Sequence, residues 1–250
     1  MRLKSIFVAA TLAALVLPAV STSQVSALEP NSVAKIFERY IEKKELANPS
    51  VVVMDQTNGE VVFAKNANSL RKPASVQKIL AAVSALTFLD PSETFTTTVS
   101  LGSQTRTLVI EGSRDPWVSF NHKEALRLGR ASLPRIEYNS LSALQEVNEE
   151  PISRATIFYS NLYSQEVSHI KAFYKKHGIT ASLERVSPQK AAELKAEEVL
   201  QTHSPELQRM LAFFLTWSDN VLTERIARLA ALSAGQTFDE EGVAITFAGI

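Results

Sequence analysis

The 250-residue chain balances 26 basic against 26 acidic residues and contains no cysteine. That balance leaves no electrostatic footprint for nucleic acid, and the missing cysteines exclude disulfides, thiol catalysis and Cys-based metal sites. The four histidines, His122, His169, His177 and His203, lack the H-E-x-x-H spacing of a zinc site. They are expected as surface or capping residues, and no cofactor or metal is expected.

Arg2 and Lys4 precede an apolar run from Ile6 to Val20, and a small-residue stretch ends in Val25-Ser26-Ala27. This pattern reads as a signal peptide, residues 1–27, cleaved before Leu28. The run is shorter than the ~20 residues of a spanning helix, so no stable membrane span is expected after cleavage. The expected location is the periplasm or the cell-wall and extracellular side. Without Arg2 and Lys4 the mature chain keeps 24 basic residues against 26 acidic, a net charge of −2.

Residues Val33 to Glu45 read as a helix with Ile36, Phe37, Tyr40 and Ile41 on one side. Two strand-like runs follow, Ser50 to Met54 and Val61 to Ala64, joined by a turn ending in Asn58-Gly59. Lys72-Pro73-Ala74-Ser75 opens a second helix, since proline suits a first helical turn. Val76, Ile79, Leu80, Val83 and Leu86 recur at helical spacing, which predicts that this face is buried. Strands are expected over Phe95–Leu101 and Thr107–Glu111 around a polar turn at 102–106. Between Asn121 and Arg185 short helices and strands mix without a clear order. Ser187-Pro188 and Ser204-Pro205 read as helix caps followed by an N1 proline. A helix from Pro205 to Thr216, the tetrad Trp217-Ser218-Asp219-Asn220, and a helix to Leu232 complete the pattern.

Ser75 and Lys78 form an S-x-x-K pair. Positions i and i+3 share a helix face, and a serine hydroxyl becomes a useful nucleophile when an adjacent base takes its proton. A lysine amine can be that base where burial disfavours its charged form. The motif recurs at Ser32/Lys35, Ser69/Lys72, Ser168/Lys171 and Ser187/Lys190, so at least four of the five matches arise by chance. Ser75 stands apart by starting an apolar helix directly after a hairpin. Ser218-Asp219-Asn220 is an S-x-N triplet between two helices. Its serine could relay a proton and its amide could hold a peptide backbone, while a plain N-cap is the alternative. The same spacing recurs at Ser119-Phe120-Asn121.

Lys72-Pro73-Ala74-Ser75-Val76-Gln77-Lys78, after the Thr57-Asn58-Gly59-Glu60 turn, resembles the active-site region of penicillin-binding D-alanyl-D-alanine carboxypeptidase/endopeptidases. Leu108 to Pro116 is similar to the family's Gly-rich Asp-Pro segment, with fewer glycines, and Ser204 through Asn220 resembles its run into the second motif. The resemblance implies an α/β (α+β) fold of the β-lactamase/transpeptidase type, an antiparallel sheet flanked by helices. It implies a transpeptidase-like domain formed by residues 28–94 and 186–250, with 95–185 inserted. It also implies Ser75 as nucleophile, Lys78 as base, Ser218 as proton relay and Asn220 as substrate-binding residue. The implied partners are peptidoglycan stem peptides and β-lactams.

The family's third motif, Lys-Thr-Gly or a close variant, has no counterpart after Lys195. Lys176-His177-Gly178 matches poorly and precedes Ser218. The expectation is therefore an incomplete fold, truncated after the second motif and poor in catalysis. The competing readings are a non-catalytic envelope remnant or muropeptide-binding module, and a β-lactamase. The separation of 143 positions from Ser75 to Ser218 disfavours the β-lactamase.

Overall fold

The structure is a computed structural model that describes residues 30–148 and 151–250. The expected signal peptide lies outside the described residues. Among those residues no helix is long and apolar enough to cross a membrane.

The chain divides into two compact units between Lys72 and Pro73. In the first, helix α1 (Pro30–Ile41) packs against a hairpin of β1 (Val51–Met54) and β2 (Val61–Lys65). The Phe37 ring stacks 6.0 Å from that of Phe63, and Ile41 is buried. The hairpin turns through Gly59, whose φ of +73° suits glycine. Helix and hairpin thus form where the apolar spacing and the Asn58-Gly59 turn place them. The helix ends four residues earlier than expected.

The second unit opens with a 3-10 turn at Ala74–Val76 that feeds α2 (Gln77–Phe88). β3 (Thr96–Gly102) and β4 (Thr107–Gly112) form an antiparallel pair, followed by α3 (His122–Leu128) and α4 (Leu133–Glu146). β5 (Arg154–Ser160), α5 (Ser164–Lys176) and β6 (Thr180–Arg185) add two parallel pairings, β4 with β5 and β5 with β6. A parallel pair needs a crossover, and α3–α4 and α5 supply the two. After α6 (Pro188–Leu194), β7 (Lys195–His203) pairs antiparallel with β3. The five-stranded sheet has the order β6-β5-β4-β3-β7 and is mixed, so the class is α+β. Its core joins Val99, Leu108, Ile110 and Ile157 to Ile136, Leu144, Ile170 and Tyr174 of α4 and α5.

A second core is helical. It gathers Ala81 and Ala85 of α2 with residues of α7 (Leu207–Trp217) and α8 (Asn220–Ser233), and α9 (Glu240–Ala248) closes the unit. Met210, Phe214, Leu222 and Ile226 are fully buried there.

Two expectations are corrected. Val76, Ile79, Leu80, Val83 and Leu86 are exposed, and α2 instead buries Lys78, Ala81, Ala82, Ser84 and Ala85. The reason is the close packing of α2 on α8: small side chains let two helix backbones approach, and the bulky stripe turns away. Ser204 does not cap a helix. Its Oγ accepts the Phe95 N–H at 2.8 Å, and α7 starts two residues past Pro205. Ser187, by contrast, caps α6 and accepts the Lys190 N–H at 3.1 Å.

Candidate active site

Ser75 lies in the 3-10 turn, between Pro73 and the first turn of α2. The preceding Ala74 has φ +46°, a left-handed conformation that costs an L-residue ~1–2 kcal/mol. The turn thereby leaves the Ser75 hydroxyl exposed at the head of α2. Lys78 sits one turn on with its side chain buried. Its Nζ donates to Ser75 Oγ at 3.2 Å and to Asn220 Oδ1 at 2.6 Å.

The second motif comes from the junction of two helices. Ser218 ends α7 in the left-handed region, φ +58°. Asp219 is the N-cap of α8, its Oδ1 accepting the Leu222 N–H at 2.9 Å. Asn220 is the first residue of that helix. This sharp reversal brings Ser218 Oγ to 2.9 Å from Ser75 Oγ. All four sequence-predicted site residues, Ser75, Lys78, Ser218 and Asn220, therefore meet in one hydrogen-bonded cluster. The N-cap reading of the triplet also holds, with Asp219 as the cap.

The chance motifs go elsewhere. Ser168 donates back to the Ser164 carbonyl of its own helix, and Ser187 is the cap of α6. Ser119 Oγ donates to the Asn121 carbonyl, and the Asn121 side chain caps α3.

The cluster opens into a cavity of about 510 Å³. Ser75, Lys78 and Asn220 line it together with Thr223, Arg228 and Phe247. Arg228 is held by Glu224 at 2.6 Å, with Glu240 at 3.9 Å. Sequence reasoning missed the contributions of Thr223 and Phe247, which fall on regular helix positions without a motif. Among the described residues no three His, Asp or Glu side chains gather within reach of a common metal.

Behind the second motif lies a buried ionic layer. Arg130 Nη1 meets Asp219 Oδ2 at 3.1 Å. Arg225 lies 3.6 Å from Glu166 and donates to the Val118 carbonyl at 3.2 Å. Asp115 accepts the Trp117 N–H at 2.8 Å. Burial pushes the carboxyls of Asp115 and Glu166 up to about 7 each, against the pull of Arg225. Asp115 belongs to the segment read as Gly-rich Asp-Pro, and it turns out to be a buried structural acid.

The serine–lysine pair, the S-x-N turn and the α+β frame can now be set beside known proteins. Residues 33–135 match the model of the D-Ala-D-Ala carboxypeptidase 3 (S13) family. That stretch contains Ser75 and Lys78; the S-x-N turn follows it. Among solved structures, the fold is similar to the crystal structure of penicillin binding protein 4 from Haemophilus influenzae, with a TM-score of 0.50 and 12% identity. The match covers 80% of this chain and 66% of that one, so the chain spans just under two thirds of that structure. No curated protein matches the sequence. The two comparisons bear out the resemblance to the penicillin-binding DD-peptidases and the α+β class that it implied, although the five-stranded sheet is mixed rather than antiparallel.

Proposed function

We propose that this chain carries the acylation site of an exported serine-type D-Ala-D-Ala peptidase acting on peptidoglycan stem peptides, and that β-lactams acylate the same serine. The observation that carries this reading is the position of Lys78 Nζ, within hydrogen-bond reach of both Ser75 Oγ and Asn220 Oδ1. A nucleophile touching its base, and a base oriented by a third group, is the arrangement covalent acyl transfer requires.

In this mechanism Ser75 Oγ attacks the carbonyl between two D-alanines, and its proton passes to the Lys78 amine. The Asn220 amide oxygen accepts one N–H of that amine at 2.6 Å and so holds Nζ beside Ser75. Ser218 Oγ, 2.9 Å from the nucleophile, relays a proton to the nitrogen of the departing D-alanine. Water then attacks the acyl-enzyme ester and releases the shortened peptide and Ser75. Removal of a positioned general base commonly costs ~10²–10⁴ in rate.

The test is covalent labelling of the full-length protein by a fluorescent penicillin. Label should appear on the wild type and on Ser168→Ala, and should vanish from Ser75→Ala. Label that persists in Ser75→Ala would overturn the assignment. Export has its own check: Edman sequencing of secreted protein should begin at Leu28.

A further inference from the structure

Arg130 follows the α3 cap, Gly129, and belongs to none of the motifs. Its side chain is only 6% exposed. The guanidinium makes three directed contacts. Nε donates to the Trp117 carbonyl at 3.0 Å, Nη1 donates to Asp219 Oδ2 at 3.1 Å, and Cζ lies over the Trp117 ring, 4.8 Å from its centroid. Trp117 is itself fixed: its Nε1 donates to the Gly129 carbonyl at 3.1 Å, and its ring packs edge-on against Phe213 of α7 at 5.1 Å. The fork is thus held in one orientation before it reaches Asp219.

The two oxygens of Asp219 have separate tasks. Oδ1 caps α8 through Leu222 N–H, and Oδ2 receives Arg130. Asp219 lies between Ser218, held at φ +58°, and Asn220, whose amide contacts Lys78. Rotation of the Asp219 carboxylate would loosen the cap and let the left-handed Ser218 relax, moving both flanking side chains. We infer that Arg130 is a positioning residue that acts through Asp219 to present Ser218 and Asn220 to the serine–lysine pair. Its bearing on chemistry rests on the peptidase reading above. A guanidinium suits this task because a single planar fork serves the Trp117 carbonyl and the carboxylate together, whereas an ammonium cannot match both directions.

The test uses the full-length protein, with Arg130→Met, Arg130→Lys and Asp219→Ala, alone and combined. In penicillin acylation, Arg130→Met should lower the limiting rate ~10- to 100-fold, as a misplaced reacting group does, with little change in the half-saturating penicillin concentration. Arg130→Lys should recover only part of that rate. In the Asp219→Ala background Arg130→Met should have almost no further effect, because the path runs through the carboxylate. Equal effects in both backgrounds, or a lower melting temperature with an unchanged acylation rate, would overturn the inference. Amide hydrogen exchange supplies a readout independent of labelling. Loss of an N-cap worth ~1 kcal/mol should speed exchange at Leu222 about fivefold in Arg130→Met, with the β4 and β5 amides unchanged. If the wild type takes no penicillin, the peptidase reading fails. Exchange then decides the positioning role alone, and unchanged protection at Leu222 overturns it.

Discussion

Ser75 Oγ and Ser218 Oγ stand 2.9 Å apart although they lie 143 positions apart along the chain. The contact joins the head of one helix to the turn between two others, and Lys78 and Asn220 extend it into a chain of hydrogen bonds. A hydroxyl pair this exposed contributes little to stability, so its substitution should register in chemistry before it registers in folding.

Lys78→Met tests that separation. Methionine keeps the length and apolar stem of lysine but leaves Asn220 Oδ1 without its 2.6 Å donor. Penicillin acylation should fall by at least ~10²-fold, the usual contribution of a general base. Circular dichroism should show the helix content unchanged.

Ser218→Gly should separate stability from function in one variant. Glycine adopts the φ of +58° without the penalty that serine bears, so the folded chain should gain up to ~1 kcal/mol. The same change removes the hydroxyl that the proposed mechanism uses as relay, and acylation should slow. A urea midpoint that rises while the labelling rate drops is the expected pair. Ser218→Ala should lose rate without the gain in stability.

The core prediction rests on the reversed face of α2. Ile226 is fully buried and Ile79 is 55% exposed. Ile226→Ala should cost about 2–5 kcal/mol as a cavity-forming change, and Ile79→Ala under about 1 kcal/mol. Equilibrium urea unfolding of the two variants measures this, and the opposite order would restore the apolar stripe to the core.

Stability should fall as pH rises from about 5 to 7.5. Burial raises the carboxyls of Asp115 and Glu166 to about 7, and Glu137 shifts the same way. An acid with a raised folded-state pKa binds its proton more tightly in the native chain. The unfolded state then holds fewer protons across this window, so stability decreases with pH. The exposed acids lowered by local hydrogen bonds, Asp55, Asp90 and Asp239, act below the window and in the opposite sense. Asp115→Asn keeps an acceptor for the Trp117 N–H and removes one titration. Urea midpoints at pH 5 and 7.5 should therefore differ less in this variant than in the wild type.

Much of the four-residue cluster was legible in the sequence because its members follow local spacing. Ser75 and Lys78 share a helix face by their i, i+3 separation, and Ser218-Asp219-Asn220 marks a helix reversal through cap-forming residues. What escaped depends on distant partners. The apolar stripe of α2 shows the helical period but not which face another helix covers, and Ala81, Ala82 and Ala85 won through close approach to α8. Strands β5 and β6 lie in parallel pairings set by crossovers rather than by a turn, so no short-range signal announced them. Ser204 looked like a cap because Pro205 follows it, yet the Phe95 N–H, 109 residues earlier, claims its hydroxyl. Arg130 carries no motif, and only the folded chain shows that it reaches Asp219.

The pairing of β3 with β7 has a consequence for the order of assembly. Thr97 lies opposite Thr202, so this seam can close only after roughly a hundred intervening residues exist, and the β3–β4 hairpin must wait with one edge open. Closing such long loops is entropically slow compared with local pairing. The serine–lysine pair is laid down early, at the head of α2, yet its two partners belong to the last third of the chain. At a synthesis rate of ~5–20 residues per second, Ser75 precedes Ser218 by several seconds or more. Until that later stretch emerges, Ser75 and Lys78 lack both of the partners that they meet in the folded chain.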